Sequence, residues 1–193
     1  MKLHKKLIIA AVAVLAAAVA AENSYDLTGL DIEQPQLVIK KDLDGDGKAE
    51  TITCTQEFLV EDDWNAKVGG RVAISDDPNT GWFEISDRLE SIEFIDLNND
   101  GTRQIVVRMT GGMHYFALYI YGCKQGWLYK IFEDGSACGV ITEFSSWRPA
   151  IWVGEVNYDD PNWCYADEPL WYIWYWDGSK FRLSENSAQN DLH

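Results

Sequence analysis

The chain has 193 residues with 31 acidic and 16 basic side chains, a net charge of −15. That balance disfavours nucleic acid and anionic membrane surfaces as partners, since neutralising phosphates takes clusters of Lys and Arg. Aromatic residues make up 13% and cysteines number four, enough apolar content for one domain with a core of its own.

In chain order, Lys2, His4, Lys5 and Lys6 precede an uncharged apolar run from Leu7 to Ala17, followed by the small-x-small triplet Ala18-Val19-Ala20. This predicts a signal peptide over residues 1–21. The run is shorter than the ~20 residues a spanning helix needs, so the expectation is a secreted or periplasmic protein with no integral membrane segment after signal removal. Losing Lys2, Lys5 and Lys6 with the leader leaves 13 basic against 31 acidic residues, a net charge of −18. In an oxidising compartment Cys54, Cys123, Cys138 and Cys164 allow two disulfides in three connectivities, with Cys123–Cys138 the more local pair. No pair shows Cys-x-x-Cys spacing.

Residues 22–35 read as a polar, irregular lead-in and 184–193 as a polar tail. Between them, residues 36–183 hold short runs of Val, Ile, Tyr, Phe and Trp punctuated by Gly, Asp, Asn and Pro, with no helical-length 3.6-residue pattern. An all-β domain follows. Three hairpin-like segments resemble one another: Val72–Ser86, Leu118–Phe132 and Trp171–Leu183, offset by 46 and 53 residues. Working back from each gives three units of four strands. Unit one is Leu37–Lys40, Thr51–Thr55, Arg71–Ser75 and Trp82–Ser86. Unit two is Ser91–Ile95, Gln104–Met109, Tyr115–Tyr121 and Trp127–Phe132. Unit three is Gly139–Phe144, Ala150–Val156, Leu170–Tyr175 and Lys180–Leu183. Repeated four-stranded antiparallel units of this length are propeller-blade-like. Three are too few for the ~4–8 of a closed ring, so the expectation is an open or incomplete propeller.

Two acidic loops occupy the same place in units one and two, residues 42–50 and 96–104. Oxygen-bearing side chains stand at loop positions 1, 3 and 5: Asp42, Asp44 and Asp46, then Asp96, Asn98 and Asp100. Gly47 and Gly101 stand at position 6, where the chain must turn. Lys48 and Thr102 at position 7 offer backbone carbonyls, and Glu50 and Gln104 stand at position 9. Calcium wants ~6–8 oxygens at about 2.3–2.6 Å, and alternating Asp/Asn around a tight turn supplies them. An EF-hand would need Glu at position 12 between helices, whereas position 12 here is Thr53 or Val107 and the flanks read as strands. As plain turns, such Asp/Asn/Gly clusters are common; two at equivalent places in a repeat favour calcium. Unit three replaces the loop with Ser145-Ser146-Trp147-Arg148-Pro149.

Asp-x-Asp-x-Asp-Gly-x-x-Asp between strands resembles the calcium loops of FG-GAP/VCBS repeats, found in integrin-α-like propellers and in secreted bacterial proteins. The resemblance covers residues 37–132 and, in unit three, only the hairpin. It implies Ca2+ as cofactor, with Asp42, Asp44, Asp46 and Glu50 as ligands in the first loop and Asp96, Asn98, Asp100 and Gln104 in the second. Both loops depart from the family's Asp at position 9.

Nothing identifies an enzyme. No Gly-x-Ser-x-Gly elbow, His-Glu-x-x-His, P-loop or dinucleotide fingerprint is present. His114 reads as a strand-edge residue beside a hairpin turn. Asp159, Asp160, Asp167 and Glu168 near Trp163, Tyr165 and Trp171 leave open a carboxylate-based glycan or peptidoglycan hydrolase, although a solvated loop explains them as simply. Leu170–Trp176 (LWYIWYW) is aromatic on both strand faces. That suits a strand buried on both sides, or an aromatic surface for a ligand or an inhibited protein. The leading expectation is a secreted calcium-binding β-repeat module with a non-catalytic binding, adhesion or accessory role toward a protein or glycan.

Overall fold

The computed structural model describes residues 23–28, 37–58, 68–74, 82–85, 88–111, 115–125, 127–156 and 169–185. Residues 1–21, expected as a signal peptide, residues 29–35 of the expected lead-in, His114, Cys164, the Asp159–Glu168 segment and residues 186–193 lie outside the described residues.

The described strands are β1 (Ser24–Asp26), β2 (Leu37–Lys41), β3 (Glu50–Phe58), β4 (Val68–Ile74), β5 (Trp82–Ile85), β6 (Arg88–Ile95), β7 (Gln104–Thr110), β8 (Phe116–Lys124), β9 (Trp127–Ser136), β10 (Val140–Glu143), β11 (Ala150–Glu155), β12 (Leu170–Trp176) and β13 (Phe181–Leu183). The protein is all-β. Its strands form three antiparallel sheets, ordered β2-β3-β4-β5, β1-β6-β7-β8-β9 and β10-β11-β12-β13. Apart from β1, strands consecutive in the chain pair antiparallel within each sheet, and the connections range from two residues between β8 and β9 to fourteen between β11 and β12. The twelve strands expected from the sequence are all present, with ends differing by a few residues.

One strand departs from expectation. Ser24–Asp26, read as part of an irregular lead-in, is β1 and pairs with β6 through Ser24↔Glu93, Tyr25↔Ile92 and Asp26↔Ser91. Three residues are too few to show alternation, and the partner strand lies over 60 residues away in the chain. Tertiary packing makes the strand: Tyr25 meets Phe94 edge-to-face at 6.1 Å, and the following Leu27 is fully buried.

Alternation along the second sheet shows how the layers stack. Ile105, Val107 and Met109 of β7 enter one core with Ile52, Cys54, Val72 and Phe83 of the first sheet. Val106 of β7 and Leu118 and Ile120 of β8 enter another core with Ile151, Val153, Trp176 and Phe181 of the third. The second sheet is therefore the middle layer, apolar on both faces, and β7 reads as the near-continuous apolar run this requires. Between the first two sheets Phe83 stacks on Tyr121 with ring centroids 3.7 Å apart. Gly70 accepts the buried Leu89 side chain against its bare backbone, where a Cβ would sit 2.2 Å from Leu89 Cγ.

The aromatic strand β12 is not buried on both faces. Residues 170–175 are half-buried and only Trp176 is buried, because the third sheet is an outer layer. Trp174 and Trp176 face the second core, while Tyr175 carries the Arg148 guanidinium 4.0 Å from its ring centroid. Cys54 and Cys138 are free thiols, so the local Cys123–Cys138 disulfide is not formed. Cys123 is buried on β8 in the first core, and Cys138 lies beyond β9 against Gly154 of the third sheet.

Candidate metal centre

Both acidic loops join the first two long strands of their sheets, β2 to β3 and β6 to β7, and they adopt one backbone path. Positions 4 and 6 are left-handed in each: Gly45 (φ 77°) and Gly47 (φ 85°), then Asn99 (φ 54°) and Gly101 (φ 89°). Glycine reaches that region without cost, and Asn is the side chain that best tolerates it. Position 1 folds the loop over itself. Asp42 accepts the Gly45 and Gly47 N–H groups at 2.8 and 2.9 Å. Asp96 accepts those of Asn98, Asp100 and Gly101 at 3.2, 3.1 and 2.8 Å. Position 5 holds position 7: Asp46 accepts the Lys48 N–H at 2.7 Å, and Asp100 that of Thr102 at 2.9 Å.

Position 9 closes each loop in the same way. Glu50 Oε2 accepts the Leu43 N–H at 2.7 Å, and Gln104 Oε1 accepts the Leu97 N–H at 2.9 Å. Both side chains thus clamp position 2, whose leucine is buried beneath the loop. Glu50 keeps a second carboxylate oxygen for a cation, whereas Gln104 spends its single carbonyl oxygen on the clamp and is buried.

Carboxylate oxygens of Asp42, Asp44 and Asp46 lie within 4.8 Å of one another, the one such acidic group among the described residues. Burial pushes the Glu50 carboxyl above its ordinary value, the Leu43 N–H opposes this, and the charges of Asp44 and Asp42 add to it. In the second loop Asp100 is held below the usual carboxylate range, first by the Thr102 hydroxyl and then by the Thr102 N–H. The donor set that converges in the first loop, the three carboxylates of Asp42, Asp44 and Asp46, is hard and anionic, which suits a hard divalent cation such as Ca2+. The second loop brings Asp96, Asn98 and Asp100 to the same positions with two negative charges. Lys48 and Thr102 sit where the pattern puts them, but the Lys48 ammonium also reaches Asp46 Oδ2 at 3.4 Å from an exposed position.

The chain matches no family model, no curated protein and no solved structure.

Two features of the centre were not foreseen from the sequence. The loops touch: the Arg103 N–H donates to the Leu43 carbonyl at 2.7 Å, and the position where Gly45 would carry a Cβ lies 3.5 Å from the Gly101 carbonyl oxygen. The third sheet also reaches the second loop, as Trp176 Nε1 donates to Asn98 Oδ1 at 2.8 Å. Neither contact has a local signature, since the partners are 60 and 78 residues apart. The buried, polar-tipped Trp176 at the end of an apolar strand was the available hint. At the equivalent place in the third sheet the connection between β10 and β11 carries no carboxylate.

Proposed function

We infer that this chain is an exported calcium-binding β-repeat module of the FG-GAP/VCBS kind: three propeller-blade-like units in an open stack, with a non-catalytic binding or accessory role. One observation carries the reading. Two loops in equivalent places share left-handed positions 4 and 6, a folded-over position 1 and a clamp from position 9 to position 2, and in one of them three carboxylates converge within 4.8 Å. Turns alone need no convergence of like charges, which repel; a divalent cation turns that repulsion into binding. Outside the cell, sites with dissociation constants of about 10⁻⁴–10⁻³ M suffice.

The first loop, with Asp42, Asp44, Asp46 and Glu50, is the tighter site; the second, with Asp96 and Asp100 as its charges and Arg103 beside them, is the weaker. Calcium binding only the folded loops raises the melting temperature by mass action. Chelator lowers it, and Asp44→Ala removes more of the calcium response than Asp100→Ala. A melting temperature indifferent to calcium and chelator overturns the reading.

A further inference from the structure

A cleft of about 740 Å³ lies between the second and third sheets, open to solvent beside the second loop. Its floor is the outward end of β6 and β7, where Glu93 and Arg108 replace the apolar residues that fill the core deeper in. Its far wall is the connection from β10 to β11, Phe144 to Pro149, and the near wall is the second loop with Asp96, Asn99 and Arg103. The size falls within the ~300–1,000 Å³ of small-molecule sites.

The polar groups are fixed in place. Arg108 is half-buried and bridges the two sheets: its Nε faces Glu93 at 3.4 Å and its Nη2 donates to Thr142 Oγ1 at 2.6 Å. Arg103 donates from Nη1 to Asn23 Oδ1 at 2.9 Å. A guanidinium has five N–H donors, and these contacts engage two on Arg108 and one on Arg103. Over this floor stands Trp147, 94% exposed at the rim of the cleft. Tryptophan is highly buried on average, and so flat an apolar surface held in water is where a ligand ring gains most by stacking.

We propose that this cleft binds a neutral saccharide, with Trp147 stacked on a sugar ring and Arg108, Glu93 and Thr142 hydrogen-bonding its hydroxyls. The charges decide the class. When the second loop holds no cation, Arg103 and Arg108 are balanced by Glu93 and Asp96, so the cleft offers donors and acceptors together with no formal excess. An anionic ligand would find no net positive charge here and would approach a strongly acidic protein. A purely apolar ligand would cover the half-buried Arg108–Glu93 pair without satisfying it. A neutral polyhydroxyl compound uses every part: each hydroxyl both donates and accepts, and a ring's C–H face covers the indole. The inference rests on the binding-module reading and gives it a ligand class, but it needs calcium only so far as the second loop shapes one wall.

The test is isothermal titration of the folded protein with cellopentaose, maltopentaose, chitopentaose and mannopentaose, with oligogalacturonate as the anionic comparison, each in calcium and in chelator. A neutral oligosaccharide binds with a dissociation constant of about a millimolar or tighter, and Trp147→Ala weakens it about tenfold or more. Trp147 contacts no core, so the variant keeps the wild-type melting temperature. Trp127→Ala, which removes a 65%-exposed tryptophan of β9 outside the cleft, leaves binding unchanged. No binding by any neutral oligosaccharide, binding of oligogalacturonate alone, or equal losses in the two variants overturns the proposal. Saccharide binding that persists in chelator, in a protein whose melting temperature ignores calcium, sinks the calcium reading and leaves this one standing.

Discussion

Replacing Asp44 by Asn separates the charge of the first loop from its shape. The amide oxygen still accepts the Asp46 N–H, now 3.2 Å from Asp44 Oδ1, so the turn survives while one negative charge goes. Two unit charges at the 4.8 Å that bounds this cluster repel by about 0.9 kcal/mol in the dielectric of water. Screening in physiological salt, with a Debye length of ~8 Å, roughly halves that. Asp44 faces two such partners, so without calcium Asp44→Asn stabilises the fold by about 1 kcal/mol. For a domain of this size that is about 3 °C in melting temperature. With calcium the sign reverses in the increment. A site at 100 times its dissociation constant adds ~2.7 kcal/mol, and a tenfold weaker site adds about 1.4. Thermal melts of wild type and variant, each in chelator and in calcium, measure the difference directly: the variant starts higher and gains about half as much or less. If Asp44→Asn lowers the melting temperature by the same amount in both conditions, the cluster is a hydrogen-bonded turn and the electrostatic argument fails.

Because burial holds the folded Glu50 carboxyl above its ordinary value near 4.5, the folded state binds the extra proton, and stability in chelator falls as pH rises through that raised value. Glu50→Gln removes this part of the pH dependence and keeps the clamp, as Gln104 does in the second loop, which melts recorded across acidic to neutral pH will show as a flatter profile. Gly70→Ala forces a methyl into the buried Leu89 side chain and costs about 1–3 kcal/mol by overpacking; denaturant unfolding with an unchanged midpoint would contradict the close approach of the first two sheets. Burial pushes the Cys54 thiol up to about 12, so an alkylating reagent at mildly alkaline pH labels Cys138 in the native protein and Cys54 only after unfolding, as peptide mass spectrometry reads out.

The strands were legible because each is a run of β-branched and aromatic residues bounded by Gly, Asp or Pro, and because the pattern recurs. The loops were legible because positions 1, 3, 5 and 6 are spelled out locally. What escaped the sequence is non-local. β1 has no pattern of its own and exists through β6. The clamp role of Glu50 and Gln104 depends on where the Leu43 and Leu97 N–H groups point, which spacing does not reveal. The aromatic run of β12 looked like a strand covered on both sides, because composition cannot say whether a sheet is an outer or a middle layer. Trp147 passed as filler in a loop that had merely lost its acids, since its exposure beside Arg108 and Glu93 arises only when β10 meets β6 and β7.

The pairing of β1 with β6 sets an order of assembly. The whole first sheet, residues 37–85, lies between these two strands in the chain. Its own neighbours pair locally, so it can form as the chain emerges. β1 has no partner until residue 95 is in place, and docking it closes a loop of over 60 residues, entropically costlier than any hairpin here. Beyond its pairing with β6 at the edge of the second sheet, the segment is held by the Arg88 guanidinium on the Thr28 carbonyl and by buried Gln56 of the first sheet, which donates to both Leu27 and Leu89. The strand made first thus finds its partner only after the whole first sheet has been made, and it acts as a clasp between the first two sheets. Cutting the chain after residue 28 would leave each sheet its internal ladder and release the clasp.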